Sequence, residues 1–511
     1  MTGQVLAVCC VISGCASPKR VEVQPPQPSP AVRLAAADAL VRAGCLDCLL
    51  DAYKAFDALR IVPTAEPEAT LGAIRAAILI ALREWELLTK DDGYFEIARM
   101  LAAGSPSMPK RLARLLEIAD ALPHGGVMRP PSNDEELEKQ RRFFQNRAAL
   151  AVELKDGAAG DALSAYAWLT FTCSSAEGRN LTQDERLGPT GEFRDTSLVA
   201  FKGAICFGTD ADAMTALVAR EPRFREADYF FGSYALGRRD LNAAEAAFSR
   251  AYEWRSEWPA VTLSLANLAM TAEDFPRALD FYGRTLAVRP ELPDAMLGKI
   301  RALTYLARHV DAIAAADELL PTRWNMGEAR YWRAFNELQL ERHDEAWDDI
   351  ELAAKLLINA DVPKLAGIIA VRRKQLDVAR ARFEESRGRN AADCETGYYL
   401  GMVLAEQRVW SNAADIFIQT SACLEGARTA LQKQIEEIRA SKEPDARKAR
   451  KIAGRERQIA AAERMHATSS FNTAVACFNL GRRIEARQYA EKVESDEQFG
   501  ERARDLLSRL R

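Results

Sequence analysis

Sulfur offers this chain most of its chemical options: ten cysteines stand against four histidines in 511 residues. The histidines, His124, His309, His343 and His466, are scattered, so none pairs with another at metal-binding spacing. Cys45 and Cys48, in GCLDC, form a lone pair at helical spacing. With no second pair or histidine beside them, a tetrahedral zinc site lacks ligands, and no metal is expected. Redox use would need the strands of an α/β fold around the pair, and the surrounding sequence offers none. A local disulfide or two buried thiols remain. Cys173 and Cys206 flank a polar stretch that a disulfide would close, and Cys394 and Cys423 stand at the two ends of one helical hairpin, where a bond would staple it. Acidic pairs such as Asp348 and Asp349 occur without a pocket signature. Phosphate-cradling glycine loops and serine elbows are missing. No catalytic set, cofactor or small-molecule substrate is indicated.

The first residues carry a different chemistry. An apolar run from Val5 to Ile12 is too short to span a bilayer but suits the core of an export signal. It ends in ISGC, which resembles the bacterial lipoprotein signal. That resemblance implies that Cys15 is lipidated and anchors the chain to a membrane. Cys9 and Cys10 would leave with the signal, so seven cysteines would face an oxidising compartment. One departure from the pattern is that no Lys or Arg precedes the apolar run. The following ASPKRVEVQPPQPSP reads as a flexible tether. Further on, Leu71–Leu88 is the nearest approach to a membrane span, but Arg75 and Arg83 interrupt it, and a buried amphipathic helix is expected there.

The elements that position these residues are helices. Apolar residues at 48% and charged residues at 28% exclude wholesale disorder. A net charge of −4 over this length gives no basis for nucleic-acid binding. Ala244, Ala278, Ala312 and Ala346 fall 34 residues apart; Ala379 follows after 33 and Ala413 after another 34. Before each lies a helix of small and apolar residues, such as ADYFFGSYALG or TGYYLGMVL, and then a short polar break such as GRRD or TAED. Four positions after each alanine, on the same helix face, stand Phe248, Tyr282, Ala316, Ile350, Phe383 and Phe417. Pro259, Pro290 and Pro293 fall between units, where proline ends or opens helices.

This pattern resembles the tetratricopeptide repeat. Gly232, Ala244 and Phe248 match in one unit; Ala266, Ala278, Tyr282 and Pro290 in the next; Gly401, Ala413 and Phe417 in the sixth. Ile300 and Ala316 depart from it, a large residue for a small one and a small for a large. The resemblance implies an all-α helical-hairpin solenoid wound as a right-handed superhelix, whose first helices line a concave, polypeptide-binding face. Carried over position by position, that face presents Tyr229, Ser233, Asn267, Arg301, Tyr305, Tyr331, Phe335, Lys364, Arg372, Tyr398 and Met402. Aromatics there supply contact area, and Arg and Lys supply charged donors. Packing between repeats is the competing use for the aromatics.

The expected organisation is a signal at 1–14, a tether at 15–30, diverged helical repeats at 31–173 and a polar, loop-rich insertion at 174–210. The repeat array follows at 211–421, clear from about 225, then a charged helical insertion at 422–466 and a terminal repeat with capping helix at 467–511. The 422–466 segment holds seven basic and three acidic residues between Lys442 and Arg457. It is expected as a solvated hairpin projecting from the solenoid; a contact arm for an acidic partner or membrane surface is the sharper alternative. The functional expectation is a non-enzymatic protein- or peptide-binding scaffold, lipid-anchored in the bacterial envelope and facing the periplasm, assisting a larger complex. The alternatives are an enzyme with its site in the N-terminal half or the 174–210 insertion, and a cytosolic interaction protein should the signal-like start be spurious.

Overall fold

At several repeats the sequence itself supplies the helix start. Pro259 and Pro293 open the first helices of two repeats. Asp240 and Asp274 cap second helices, accepting from the N–H of Ala243 and Arg277 at 3.0 and 3.4 Å. In the computed structural model, which describes residues 28–89, 92–105, 108–120, 134–322 and 326–510, everything regular is helical. The described residues contain no sheet, only an isolated bridge between Cys206 and Gly208. The leader, Cys15 and nearly all of the tether lie outside them.

Six antiparallel hairpins stack in order. They are Ala227–Gly237 with Leu241–Trp254, Pro259–Thr271 with Phe275–Val288, Pro293–Tyr305 with His309–Leu319, Met326–Gln339 with His343–Ala354, Asp361–Arg372 with Leu376–Arg389, and Cys394–Glu406 with Trp410–Ala440. This is a tetratricopeptide-like helical-hairpin solenoid. The periodic alanines are all fully buried, so the two helices of each hairpin close on a methyl group. The aromatic four positions later fills the space left by a glycine in the first helix. A Cβ on Gly232, Gly367 or Gly401 would come within 2.6 Å of Phe248, Phe383 or Phe417. Ile300 and Ala316 stand at the same two positions of the third repeat, both fully buried in one cluster. Large and small have changed places across a single contact, so the two departures offset each other.

The polar breaks are more regular than their sequences. Arg239, Glu273, Ala307, Glu341, Lys374 and Arg408 all adopt left-handed φ between 54° and 62°. In each case the next N–H donates to the carbonyl five residues back, as from Asp274 to Ala269 at 2.8 Å or Gln375 to Ala370 at 2.9 Å. That is the Schellman ending of a helix, a position that favours glycine. Only the seventh break, at Gly481, has one.

The N-terminal helices share a core with the array. One apolar cluster runs from Ala37 through the first two repeats to Ala302. At its centre Glu66–Leu87 is buried along most of its length: from Ala69 to Leu87 no residue is exposed, and one face, with Leu71, Arg75, Ala81, Trp85 and Glu86, stays partly accessible. Within the stretch expected as diverged helical repeats, the helix Ala162–Ser174 starts only after Gly157–Gly160 turn, with Asp161 capping the N–H of Ser164 at 2.9 Å. Residues 174–210, expected to be loop-rich, fold into short helices such as Gln183–Leu187 and Ser197–Ala204, anchored by buried Phe193, Leu198 and Phe201. No helix among the described residues is long and apolar enough to cross a membrane.

Trp410–Ala440 and Asp445–Asn479 form one long hairpin, and the end of the second serves as the first helix of a seventh repeat with Arg483–Glu491, capped by Gly500–Arg509. This hairpin does not project free of the solenoid. Its tip returns to repeats one and two, where Arg447, Arg450 and Arg455 pair with Glu245, Asp274 and Glu273.

Candidate functional site: an aromatic ladder across three repeats

Helical spacing places Tyr331 and Phe335 of the fourth repeat on one face, four residues apart. Trp332 stands between them in the structure, its ring 6.1 Å from Phe335 and 5.3 Å from Tyr331. Tyr305, at the end of the third repeat's first helix, lies 6.1 Å from Trp332 and stacks on Phe275 of the second repeat at 4.7 Å. The Arg301 guanidinium sits 5.9 Å from the Trp332 ring. Three consecutive repeats thus contribute to one continuous aromatic ladder, with Tyr305 half exposed (51%) at its middle. Phe275 and Trp332 escaped the position-by-position reading. The usable signal was Trp332 standing three before Phe335, a spacing that shares a helix face.

The other expected residues divide by what they touch. Tyr229 is packed between Phe248 and Trp258, with centroids 5.9 and 5.0 Å away, and joins repeats rather than facing outward. Ser233 donates back to the Tyr229 carbonyl at 3.0 Å. Asn267, though exposed, accepts from the Tyr282 hydroxyl at 2.7 Å. Lys364 contacts Asp393 at 3.1 Å, Glu395 at 3.3 Å and Asp361 at 3.6 Å. Burial opposes its charge, but Glu395 and Asp393 hold its pKa above the ordinary lysine range. It ties repeats five and six together and offers no spare cation. Arg372 is exposed, and Tyr398 half-buried against Tyr399 at 5.3 Å. Met402 sulfur accepts from Asn472 of the returning helix at 3.0 Å. The ladder therefore gathers Arg301, Tyr305, Tyr331 and Phe335, of which Tyr331 and Phe335 also pack on the buried cluster around Ile350 and Val362; the remaining residues serve packing or stand at separate surface positions.

All three cysteine pairs singled out from sequence lie together as disulfides, Cys45–Cys48, Cys173–Cys206 and Cys394–Cys423. Cys477 remains as a buried thiol, its pKa pushed up to about 11 by burial and then by Glu485.

Two polar features lie off the ladder. Buried Arg83 donates to Tyr166 at 3.0 Å and to Glu226 at 2.5 Å, and its guanidinium lies 3.8 Å from the Phe201 ring. Glu86 accepts from Tyr166 and Lys202. Burial raises Glu226, while for Glu86 the same burial is outweighed by Lys202 and Arg83, which hold its pKa low. The network has each charge matched by an opposite one and joins the N-terminal helices to the first repeat. Separately, a cleft of about 280 Å³ in the N-terminal half is lined by Asp38, Arg42, Arg75, Asp161 and Glu192. Arg42 pairs with Glu192 at 3.2 Å and Asp161 caps its helix, so these three serve structure, and the lining holds no serine, threonine, cysteine, lysine or histidine to form a nucleophile–base pair. Among the described residues no group of three or more His, Cys, Asp or Glu side chains could hold a metal ion.

No family model and no curated protein matches the chain. Solved helical-repeat structures do. The Cut9–Hcn1 hetero-tetramer of APC/C aligns over 94% of this chain and 98% of that one, with 12% identity and a TM-score of 0.43. A tetratricopeptide-repeat protein from Parabacteroides merdae covers 56% of this chain with 98% of its own, at 15% identity and TM-score 0.35. YrrB, described as a repeat protein with an unusual peptide-binding site, covers 51% with 98% of its own, at 19% identity and TM-score 0.27.

Proposed function

We propose that the protein is a peptide- or protein-binding scaffold that grips an extended segment along the Phe275–Tyr305–Trp332–Phe335 ladder. The half-exposed, stacked Tyr305 carries this reading: aromatic rungs crossing three repeats supply contact area at low entropic cost, beside the exposed cation of Arg301. Placement in the bacterial envelope, lipid-anchored through Cys15 and facing the periplasm, is part of the proposal. Three cysteine pairs in bonding geometry support an oxidising compartment. Assisting assembly or stability of an envelope complex follows from combining anchor and binding face. A cytosolic interaction protein is the second reading, since the ladder serves equally well there.

A photo-crosslinking residue at Tyr305, compared with one at exposed Ile484, tests the binding face in cells. Crosslinked polypeptides specific to position 305, lost on Trp332→Ala, are expected. Equal labelling at both positions would sink the ladder reading. Fractionation of a Cys15→Ser variant decides the compartment: the native chain should sediment with membranes and the variant should not, whereas identical soluble behaviour favours the cytosolic reading.

A further inference from the structure

The long hairpin leaves the sixth repeat, yet its tip is seated on the edge of the first two. Arg447 donates to Asn242 at 3.1 Å and also to Glu245. Asn242 returns a bond to the Lys442 carbonyl at 3.3 Å. Arg450 meets Asp274 at 3.1 Å, and Arg455 meets Glu273 at 3.0 Å. The side chain of Arg447 is only 8% exposed. Gly454 lies so close that a Cβ there would fall 2.3 Å from a Glu273 carboxylate oxygen. Arg447, Arg450, Lys451, Gly454 and Arg455 stand at i, i+3, i+4, i+7 and i+8, which is one face of a helix. Glu273 holds its carboxylate out from a left-handed turn where glycine would be easier for the backbone, and a glycine there could not bind Arg455.

We propose that this edge of repeats one and two is a docking site for a basic helix with a glycine at the point of closest approach, and that the chain fills it with its own hairpin tip. The tip acts as a tethered ligand and a clasp: it links the sixth repeat to the first two, so neighbour contacts run in a closed circuit around the array. Because its bonds are ion pairs at partly exposed positions, added salt weakens it. This reading is independent of the aromatic ladder, which lies on other residues.

The test is competition between the tethered tip and the same segment supplied free. The probe is a fluorescent peptide of residues 441–458 of this chain, titrated into the full-length protein. In the native chain the tethered tip, at an effective concentration in the millimolar range, keeps the site filled. Two variants empty it by different means: Arg447→Glu/Arg450→Glu/Arg455→Glu by repulsion, and Gly454→Leu by bulk. Both should bind the peptide at least about tenfold more tightly than the native chain. Adding Glu245→Lys and Glu273→Lys should abolish that gain, with helical circular dichroism unchanged. Peptide binding no tighter in either emptied variant, or a gain that survives the two lysines, overturns the proposal.

Discussion

Replacing Ile300 by glycine recreates at one position the small residue that Gly232, Gly367 and Gly401 supply in other repeats, but leaves its partner Ala316 too small to fill the gap. Ile300 is fully buried, so its loss opens a cavity worth about 2–5 kcal/mol, and glycine in a helix interior adds about 1 kcal/mol. The reverse single change, Ala316→Phe, forces a ring against Ile300 and costs about 1–3 kcal/mol by overpacking. Together the two changes give the third repeat the glycine–phenylalanine pair already present three times, in each of which an added Cβ would fall 2.6 Å from the ring. The double variant should therefore be less destabilised than the sum of the singles by at least about 2 kcal/mol. Local opening energies from native-state hydrogen exchange suit a solenoid, whose repeats need not unfold together. The measured segments would be the amides of 293–305 and 309–319. Strict additivity, or a double variant less protected than either single, would refute the idea that these two departures compensate across one contact.

Removing one partner of the buried Arg83–Glu226 pair, by Arg83→Met or Glu226→Ala, should cost about 3–5 kcal/mol, read as a fall in thermal midpoint. Glu337, pushed up to about 7 by burial and then by Asp349, binds a proton in the folded chain that the unfolded chain has released. Its contribution to stability is thus complete below about pH 4.5 and lost as pH rises through 7. Glu337→Gln should flatten that dependence and stabilise the protein by about 1–2 kcal/mol at pH 8, measured by denaturant titration at both pH values. Ala307→Gly should raise stability by about 0.5–1 kcal/mol, the reverse of the usual ranking, because Ala307 sits at φ 54°; an unchanged or lower thermal midpoint would contradict it. Reduction of Cys394–Cys423, which closes a separation of 29 residues, should weaken the sixth hairpin by about 2–4 kcal/mol, visible as faster exchange in 394–423.

The sequence by itself was enough for the repeat. A period of 34 residues, a buried alanine in each unit and a partner four positions on arise from local helical geometry and nearest-neighbour packing, and both are written within one unit's length. The cysteine pairs were legible for a similar reason, since each joins residues separated by no more than 33 positions. Left-handed turns at Arg239 or Lys374 were hidden because no glycine marks them; packing of the flanking helices imposes a conformation those residues do not favour. What tertiary structure alone decided lies at longer range. Arg83 looked like an interruption in an apolar helix until Glu226, 143 residues away, was seen to receive it. The basic tip read as a solvated arm until Asn242 and Glu245, more than 200 residues earlier, were found beneath it. Charge and helical period say which face of a segment is basic, but only the path of the whole chain determines which acidic surface that face meets.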